Sequence, residues 1–304
     1  MGSLLAYSGL ATKIRAMESR LMKEKQYREI SELASVPQVV AYLKQQPAFS
    51  RLWADVNENA LRRNEVEQLL RRTIYQDFAR IYHFSNPEQR KFLDLYFKRY
   101  EIVAMKQCMS NIFDHRDVEL ELSMFVKFFE RHSKLNLEKL TSSSTMEEFV
   151  DNLKGSEYYP VLKRLKNSMA EPLVFDYGMA LDQYYFTQIW KVKDKIFRGL
   201  DRREMTDIYG RKFDMLNLNW IYRSKKYYRM EPNQIYPLLI PVRYKLSREE
   251  VRRMVEAESP EEIQTLMDQS YYSRFREQMN ADSLEEAYVY ILRDILEQVS
   301  RRHP

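Results

Sequence analysis

A short apolar signature occurs three times along the chain, and a chain that repeats one unit in this way is restricted to folds assembled from copies of it. The first copy runs Val36-Pro37-Gln38-Val39-Val40-Ala41-Tyr42-Leu43 toward Phe49. The second runs Met146-Glu147-Glu148-Phe149-Val150-Asp151-Asn152-Leu153 toward Tyr159, and the third Ser259-Pro260-Glu261-Glu262-Ile263-Gln264-Thr265-Leu266 toward Tyr272. Pro37, Glu147 and Pro260 hold equivalent positions, 110 and 113 residues apart, and the alignment needs no gap. Val40, Val150 and Ile263 then correspond, as do Leu43, Leu153 and Leu266. An apolar pair three residues apart predicts a two-turn helix that buries one edge, with the closing aromatic anchoring the turn after it. Burying the pair is worth about 3–5 kcal/mol, so each copy needs neighbouring helices.

The surroundings repeat as well. Apolar residues recur at three and four, the period of amphipathic helices, and only six glycines interrupt them. Leu10, Ile14, Met17 and Leu21 predict a helix over about 3–24. Leu95, Ile102, Met105, Met109 and Ile112 predict a long one from Pro87 to Phe113, and a third runs from Arg203 to Arg229. Each precedes one copy of the short element. Another helix follows each copy, striped by Leu61, Leu69, Thr73, Phe78 and Ile81, then by Leu181, Tyr185, Ile189, Val192 and Ile196, then by Leu284, Tyr288, Ile291, Ile295 and Val299. Unit boundaries fall at Ser85-Asn86-Pro87, where Pro suits a helix start, and at Gly199-Leu200-Asp201, where Gly suits a helix end followed by an Asp cap. Thr145 is a candidate cap for the middle short helix, and Ser283 with Glu286 a candidate capping box for the last helix. Ser142-Ser143-Ser144 and the stretch from Tyr228 to Ser247 predict loops, the second with one short helical turn.

Composition narrows the class. With 44% apolar and 31% charged residues, the 304-residue chain is neither disordered nor fibrous. Its longest apolar run, Tyr236 to Val242, falls far short of the ~20 residues of a spanning helix. The start carries no charged leader, and Ala6 stands where a myristoylation signal needs Ser or Thr, so the expectation is a cytoplasmic protein. The single Cys108 excludes an intrachain disulfide. A net charge of +5 favours an acidic partner without choosing among nucleic acid, anionic lipid and protein.

Reactive constellations are not encoded. The glycines are isolated, so no phosphate cradle is formed. His83, His115, His132 and His303 have no ligand spacing, and no cofactor or metal is expected. His115 reads as a surface or capping residue at a helix end, and Cys108 as a small buried thiol in a helical stripe. Glu147-Glu148, Glu249-Glu250 and Glu261-Glu262 fall in first helical turns, where negative charge complements the helix dipole. Tyr222-Arg223-Ser224-Lys225-Lys226-Tyr227-Tyr228-Arg229 interleaves cations with aromatics, as a nucleic-acid groove would. On a helix, however, Arg223 and Lys226 share one side while Lys225 and Arg229 share another, which favours a solvated or protein-facing helix end.

The opening Tyr7-Ser8-Gly9-Leu10-Ala11-Thr12-Lys13-Ile14-Arg15-Ala16-Met17-Glu18-Ser19-Arg20-Leu21 resembles that of the C subunit of bacterial and archaeal V-type (A-type) ATP synthases, the AC39 family of the vacuolar ATPase d subunit. The three short helices and the Leu239-Ile240-Pro241 loop also resemble that family, and the similarity covers nearly the whole chain. One departure is Val242-Arg243-Tyr244, where the family often carries glycine after the Ile-Pro pair. The resemblance implies an all-α fold of three similar modules, 1–84, 85–200 and 201–304, arranged with pseudo-threefold symmetry as a funnel. It further implies a non-catalytic rotor subunit that couples the central shaft, built from D- and F-type subunits, to the membrane proteolipid ring on the inner face of the membrane. Neither a small-molecule substrate nor nucleic acid is implied. Arg223, Lys225 and Lys226 are the candidate partner-binding residues. A helical-repeat scaffold for unrelated proteins, or a basic nucleic-acid-binding module, is the alternative reading.

Overall fold

The computed structural model describes residues 2–51, 53–114, 126–168, 171–275 and 290–298, and every regular element among them is helical. The first run is α1 (Gly2–Glu18), α2 (Glu24–Ser31), α3 (Val36–Gln45) and α4 (Arg63–Phe84). The second is α5 (Pro87–Asp114), α6 (Val126–His132), α7 (Leu137–Thr141), α8 (Met146–Asn152), α9 (Tyr159–Ser168) and α10 (Val174–Ile196). The third is α11 (Gly199–Lys226), α12 (Pro232–Ile235), α13 (Arg248–Glu256), α14 (Pro260–Asp268) and a last helical segment over 290–298. The predicted order of long helix, short helices and closing helix thus occurs three times.

The three copies of the signature are α3, α8 and α14, and all three bury the expected pair. Val40, Val150 and Ile263 are 0%, 3% and 0% exposed, and Leu43, Leu153 and Leu266 are 4%, 1% and 8%. Their starts are set locally. Thr145 Oγ1 accepts the Glu148 N–H at 3.2 Å and Ser259 Oγ accepts the Glu262 N–H at 3.2 Å. In α3, Pro37 stands in the first turn, where a missing N–H costs nothing. The closing aromatic of the middle copy differs from expectation: Tyr159 starts α9 and is half-buried, while its neighbour Tyr158 is 1% exposed. A turn through Ser156 rather than a straight continuation shifts the inward position by one residue.

Packing divides the chain into two compact units, Met1–Phe97 with Gln107–Ser156, and Lys98–Lys106 with Glu157–Pro304. In the first, Val40, Leu43, Trp53 and Val66 form a core that Ile30, Phe49, Leu69 and Leu70 flank. A second cluster sets Phe97 edge-on to Phe129 with ring centroids 5.4 Å apart and brings the His132 ring centroid to 4.4 Å from that of Tyr82. Burial lowers the His132 pKa, as expected for an imidazole serving as an aromatic filler. Asn152 Nδ2 donates to the Lys139 carbonyl and to Ser143 Oγ, which ties α8 to the end of α7.

In the second unit α11 is the central rod. Met215, Leu218 and Ile221 are fully buried, together with Ile235, Met254, Val255, Ile263, Met267, Tyr272, Ile291 and Ile295. On α10 the inward row is Leu181, Tyr185, Ile189 and then Lys193, not Val192. Strict four-residue spacing carries the row onto Lys193, whose stem is buried while Nζ rests 4.1 Å from the Trp190 ring centroid and 2.9 Å from Asp194.

Three further expectations are corrected. The first helix stops at Glu18, where Ser19 Oγ takes up the Ala16 carbonyl and leaves Leu21 exposed. Gly199 begins α11 at φ +51° instead of ending α10, and Asp201 lies in the first turn instead of capping it. Helix α11 ends at Lys226, three residues before the expected Arg229. Leu284, Tyr288, Val299 and the Ser283–Glu286 box lie outside the described residues.

Lys212 on α11 is drawn largely out of water, its Nζ 5.8 Å from the Tyr209 ring centroid. Burial first, and the nearby Arg99 charge second, pull its ammonium down to about 8. Below pH 8 both folded and unfolded chains hold the proton and the cost is constant. From 8 to the ordinary 10.5 only the unfolded chain holds it, so wild-type stability climbs relative to Lys212→Met. Chemical denaturation should show that climb, with Lys212→Met more stable at pH 7 by about 1–2 kcal/mol after discounting for residual solvation. A pH-independent difference between the two proteins would contradict it.

Candidate partner-binding site

The features that distinguish this chain from a plain helical array sit on α11. A helix buried on nearly every side must satisfy whatever polar groups it carries, and α11 buries Arg211, Asp214, Asn217 and Ser224. The segment from Leu239 to Ser247 supplies partners for Asp214 and Asn217. Asn217 Nδ2 donates to the Ile240 carbonyl at 3.1 Å, and the Ile240 N–H donates to Asn217 Oδ1 at 2.8 Å. One turn earlier, Asp214 accepts the N–H groups of Tyr244 (3.1 Å), Lys245 (2.7 Å) and Leu246 (3.2 Å) and the hydroxyl of Tyr272 (3.0 Å). Two turns before Asp214, Asp207 accepts the Tyr244 hydroxyl at 3.1 Å and pairs with the Arg211 guanidinium. Between these, Gly210 leaves its face open to the Tyr244 ring. The Leu239-Ile240-Pro241 loop is therefore a strap laced to α11, and the Val242-Arg243-Tyr244 departure places an aromatic over a glycine.

The electrostatics follow from burial. Asp214 is raised above the usual carboxylate range by desolvation, while the three N–H groups and the Tyr272 hydroxyl pull it back. Tyr244 is pushed up to about 12, by burial first and then by Asp207. The Tyr272–Asp214 pair has a counterpart in Tyr158 and Glu101, 2.5 Å apart, and burial likewise raises the Tyr158 phenol. Both pairs hold an aromatic after a repeat to a carboxylate on a long helix. Their environment suppresses proton release, so they fit a structural lock and not acid–base chemistry.

At the end of α11 the strap opens onto a groove of about 470 Å³ lined by Phe175 and Met179 of α10, Trp220 and Arg223 of α11, and Tyr228 and Leu238. Arg229 adopts a left-handed backbone, φ 48°, and Met230 N–H returns to the Ser224 carbonyl at 3.0 Å. The predicted cations are placed as follows. The Arg223 guanidinium forms part of the groove wall and lies 5.7 Å from the Tyr227 ring centroid. Lys226 is exposed, its Nζ 5.2 Å from the Tyr222 ring centroid and 5.4 Å from that of Tyr227. Lys225 is half-buried and makes no ion pair among the described residues. Sequence reasoning found these charges but not the groove, because its walls come from two helices and a loop far apart in sequence. It also missed Asp214, Asn217 and Gly210, whose only signal was polar residues and a glycine inside a long apolar rod.

Cys108 and the first-turn glutamates are placed as expected. Cys108 is 1% exposed, and burial pushes its thiol up to about 12, away from the reactive thiolate. Glu148, Glu250 and Glu262 accept backbone N–H groups at their helix starts, at 2.9, 2.7 and 2.9 Å. No group of three or more metal-ligating side chains occurs among the described residues, and none of the helices described is long and apolar enough to cross a membrane. His115 and His303 lie outside the described residues.

Among its described residues such a chain is an all-helical protein. The profile of the ATP synthase (C/AC39) subunit family matches residues 10–304, and the chain belongs to that family. Its part in the complex is structural and not catalytic. It is similar to the C subunit of the A-type ATP synthase of Methanosarcina mazei, 24% identical over 261 residues, covering 85% of this chain and 69% of the relative. The corresponding protein of Methanococcoides burtonii is 22% identical over 274 residues, covering 89% and 73% of the two chains. That of Methanocaldococcus jannaschii is 23% identical over 223 residues, covering 73% and 55%.

Proposed function

We propose that the chain is the rotor piece of its ATP synthase that joins the central shaft to the proteolipid ring and carries torque between them while protons or sodium ions cross the membrane. Its partners on this reading are the D- and F-type shaft subunits and the ring, with the chain on the inner face of the membrane. The three modules, 1–84, 85–200 and 201–304, would stand around a pseudo-threefold axis as a funnel, matching a narrow shaft to a wide ring.

The observation that supports this reading is the repeat itself. Three short helices bury the same apolar pair, each behind a long helix and ahead of a closing one. Torque transmission requires stiff elements that do not open locally, and fully buried pairs with well-formed helix starts supply them. The buried tyrosine–carboxylate locks add stiffness where the long helices carry load.

Arg223, Lys225 and Lys226 are the proposed contact residues for an acidic surface of the shaft. Replacing all three by glutamate should weaken binding of the purified D–F shaft by at least tenfold at moderate salt, since opposed charges at an interface become like charges. Titration of labelled shaft against wild-type and variant chains reads the change. Equal affinity would remove these residues from the interface.

A further inference from the structure

We infer that Lys212 on α11 is a site of reversible carbamate formation, its side-chain amine taking up dissolved carbon dioxide and the resulting anion pairing with the Arg99 guanidinium of α5.

Lys212 differs from the other lysines drawn out of water in the groups around it. Lys44, Lys106 and Lys193 each meet a carboxylate, Glu58 at 3.2 Å, Asp182 at 2.5 Å and Asp194 at 2.9 Å. Arg211, the residue before Lys212, pairs with Asp207. Lys212 itself has no hydrogen bond and no ion pair among the described residues. Its Nζ stands 5.8 Å from the Tyr209 ring centroid, and the charge that acts on it is that of Arg99. A desolvated ammonium beside a second cation, with no acid to offset either effect, is a place where loss of the positive charge is favoured.

Both halves of the reaction gain from this setting. Only the neutral amine attacks carbon dioxide. Burial and Arg99 bring the ammonium from the ordinary 10.5 down to about 8, which raises the neutral fraction near pH 7 by about a hundredfold or more over an ordinary lysine. In the step, the nitrogen lone pair forms an N–C bond, one C=O bond pair moves onto oxygen and a proton of the amine passes to water. The amine and CO2 thus give the carbamate anion and H⁺, with no change of oxidation state. The product inverts the charge at Nζ, so the cation that Arg99 disfavours becomes an anion that it attracts. A guanidinium has enough N–H donors for Arg99 to hold a carboxylate beside the partner it already has. Lys212 is half-buried and not sealed, which leaves the amine within reach of a dissolved gas.

The test incubates the purified full chain with ¹³C-labelled bicarbonate near neutral pH and adds triethyloxonium ion, which converts a carbamate to its stable ethyl ester. Peptide mass spectrometry then locates the ester. It is expected at Lys212 in at least about tenfold excess over the exposed Lys191 and Lys195. Arg99→Gln should lower the occupancy of Lys212 by about threefold or more, because the anion loses its counter-ion. In Lys212→Met, whose helical circular dichroism should match wild type, the labelled carbamate resonance seen by ¹³C NMR should disappear. No ester at Lys212, or as much at Lys191 and Lys195, would overturn the inference. So would unchanged occupancy in Arg99→Gln, or a carbamate resonance that persists undiminished in Lys212→Met.

Discussion

Asp214→Ala should lower the unfolding free energy by about 3–5 kcal/mol, read as a shift of the urea midpoint at constant slope. The side chain takes four hydrogen bonds, three from successive backbone N–H groups of the strap and one from the Tyr272 hydroxyl. Removing it leaves all four donors without this partner. The net loss is smaller than four separate bonds would suggest, because the desolvation that raises the Asp214 pKa is relieved in the variant. Tyr272→Phe removes one donor and leaves the carboxylate three, so about 1 kcal/mol is expected for it. The contrast between the two variants tests the lacing of the strap. Equal effects would mean that the backbone bonds contribute nothing.

Gly210→Ala should destabilise by about 2 kcal/mol, opposite in sign to the ~1 kcal/mol gain that alanine usually brings inside a helix. A methyl carbon at this position would lie 2.7 Å from Cδ1 and 2.8 Å from Cβ of Tyr244, and closer still to Cγ. Because Cβ is among the blocked atoms, rotating the ring away does not relieve the overlap, and the strap backbone must move. Tyr244→Gly clears both the ring and the Cβ but also loses the hydroxyl bond to Asp207. In the double variant the glycine substitution should therefore cost much less than in the wild-type background. A double-mutant cycle on thermal or urea unfolding measures this coupling. Additive effects would contradict the placement of Tyr244 over Gly210.

What could be read from the residues divides along one physical line. Val40, Val150 and Ile263, with Leu43, Leu153 and Leu266, were legible because burial of an apolar pair leaves a spacing in the sequence, and all six are buried. Thr145 was legible because a cap acts within three residues of itself. Lys193 was not, since its stem is buried only by virtue of the phase of α10 and its charge is placed by Trp190 and Asp194. Asp214 and Asn217 were not legible for a stronger reason. Their partners are backbone groups of a strap some 23 to 32 residues later, and main-chain donors carry no residue-specific signal. Gly199 was misread because a glycine beside a boundary fits a helix end, whereas its φ of +51° serves the entry into α11. The cations at 223, 225 and 226 were visible as charges, but the groove beside them is assembled from α10, α11 and the strap and has no contiguous trace.

The function proposed for the chain is mechanical, joining two other parts of the complex without chemistry of its own. It is tested most directly by reconstituting the ATP synthase in lipid vesicles with and without this chain and following ATP hydrolysis and ATP-driven ion uptake together. Hydrolysis is expected to continue in the absence of the chain, with ion uptake falling to the leak and returning when purified chain is added back. Ion uptake that proceeds unchanged without the chain would contradict the account.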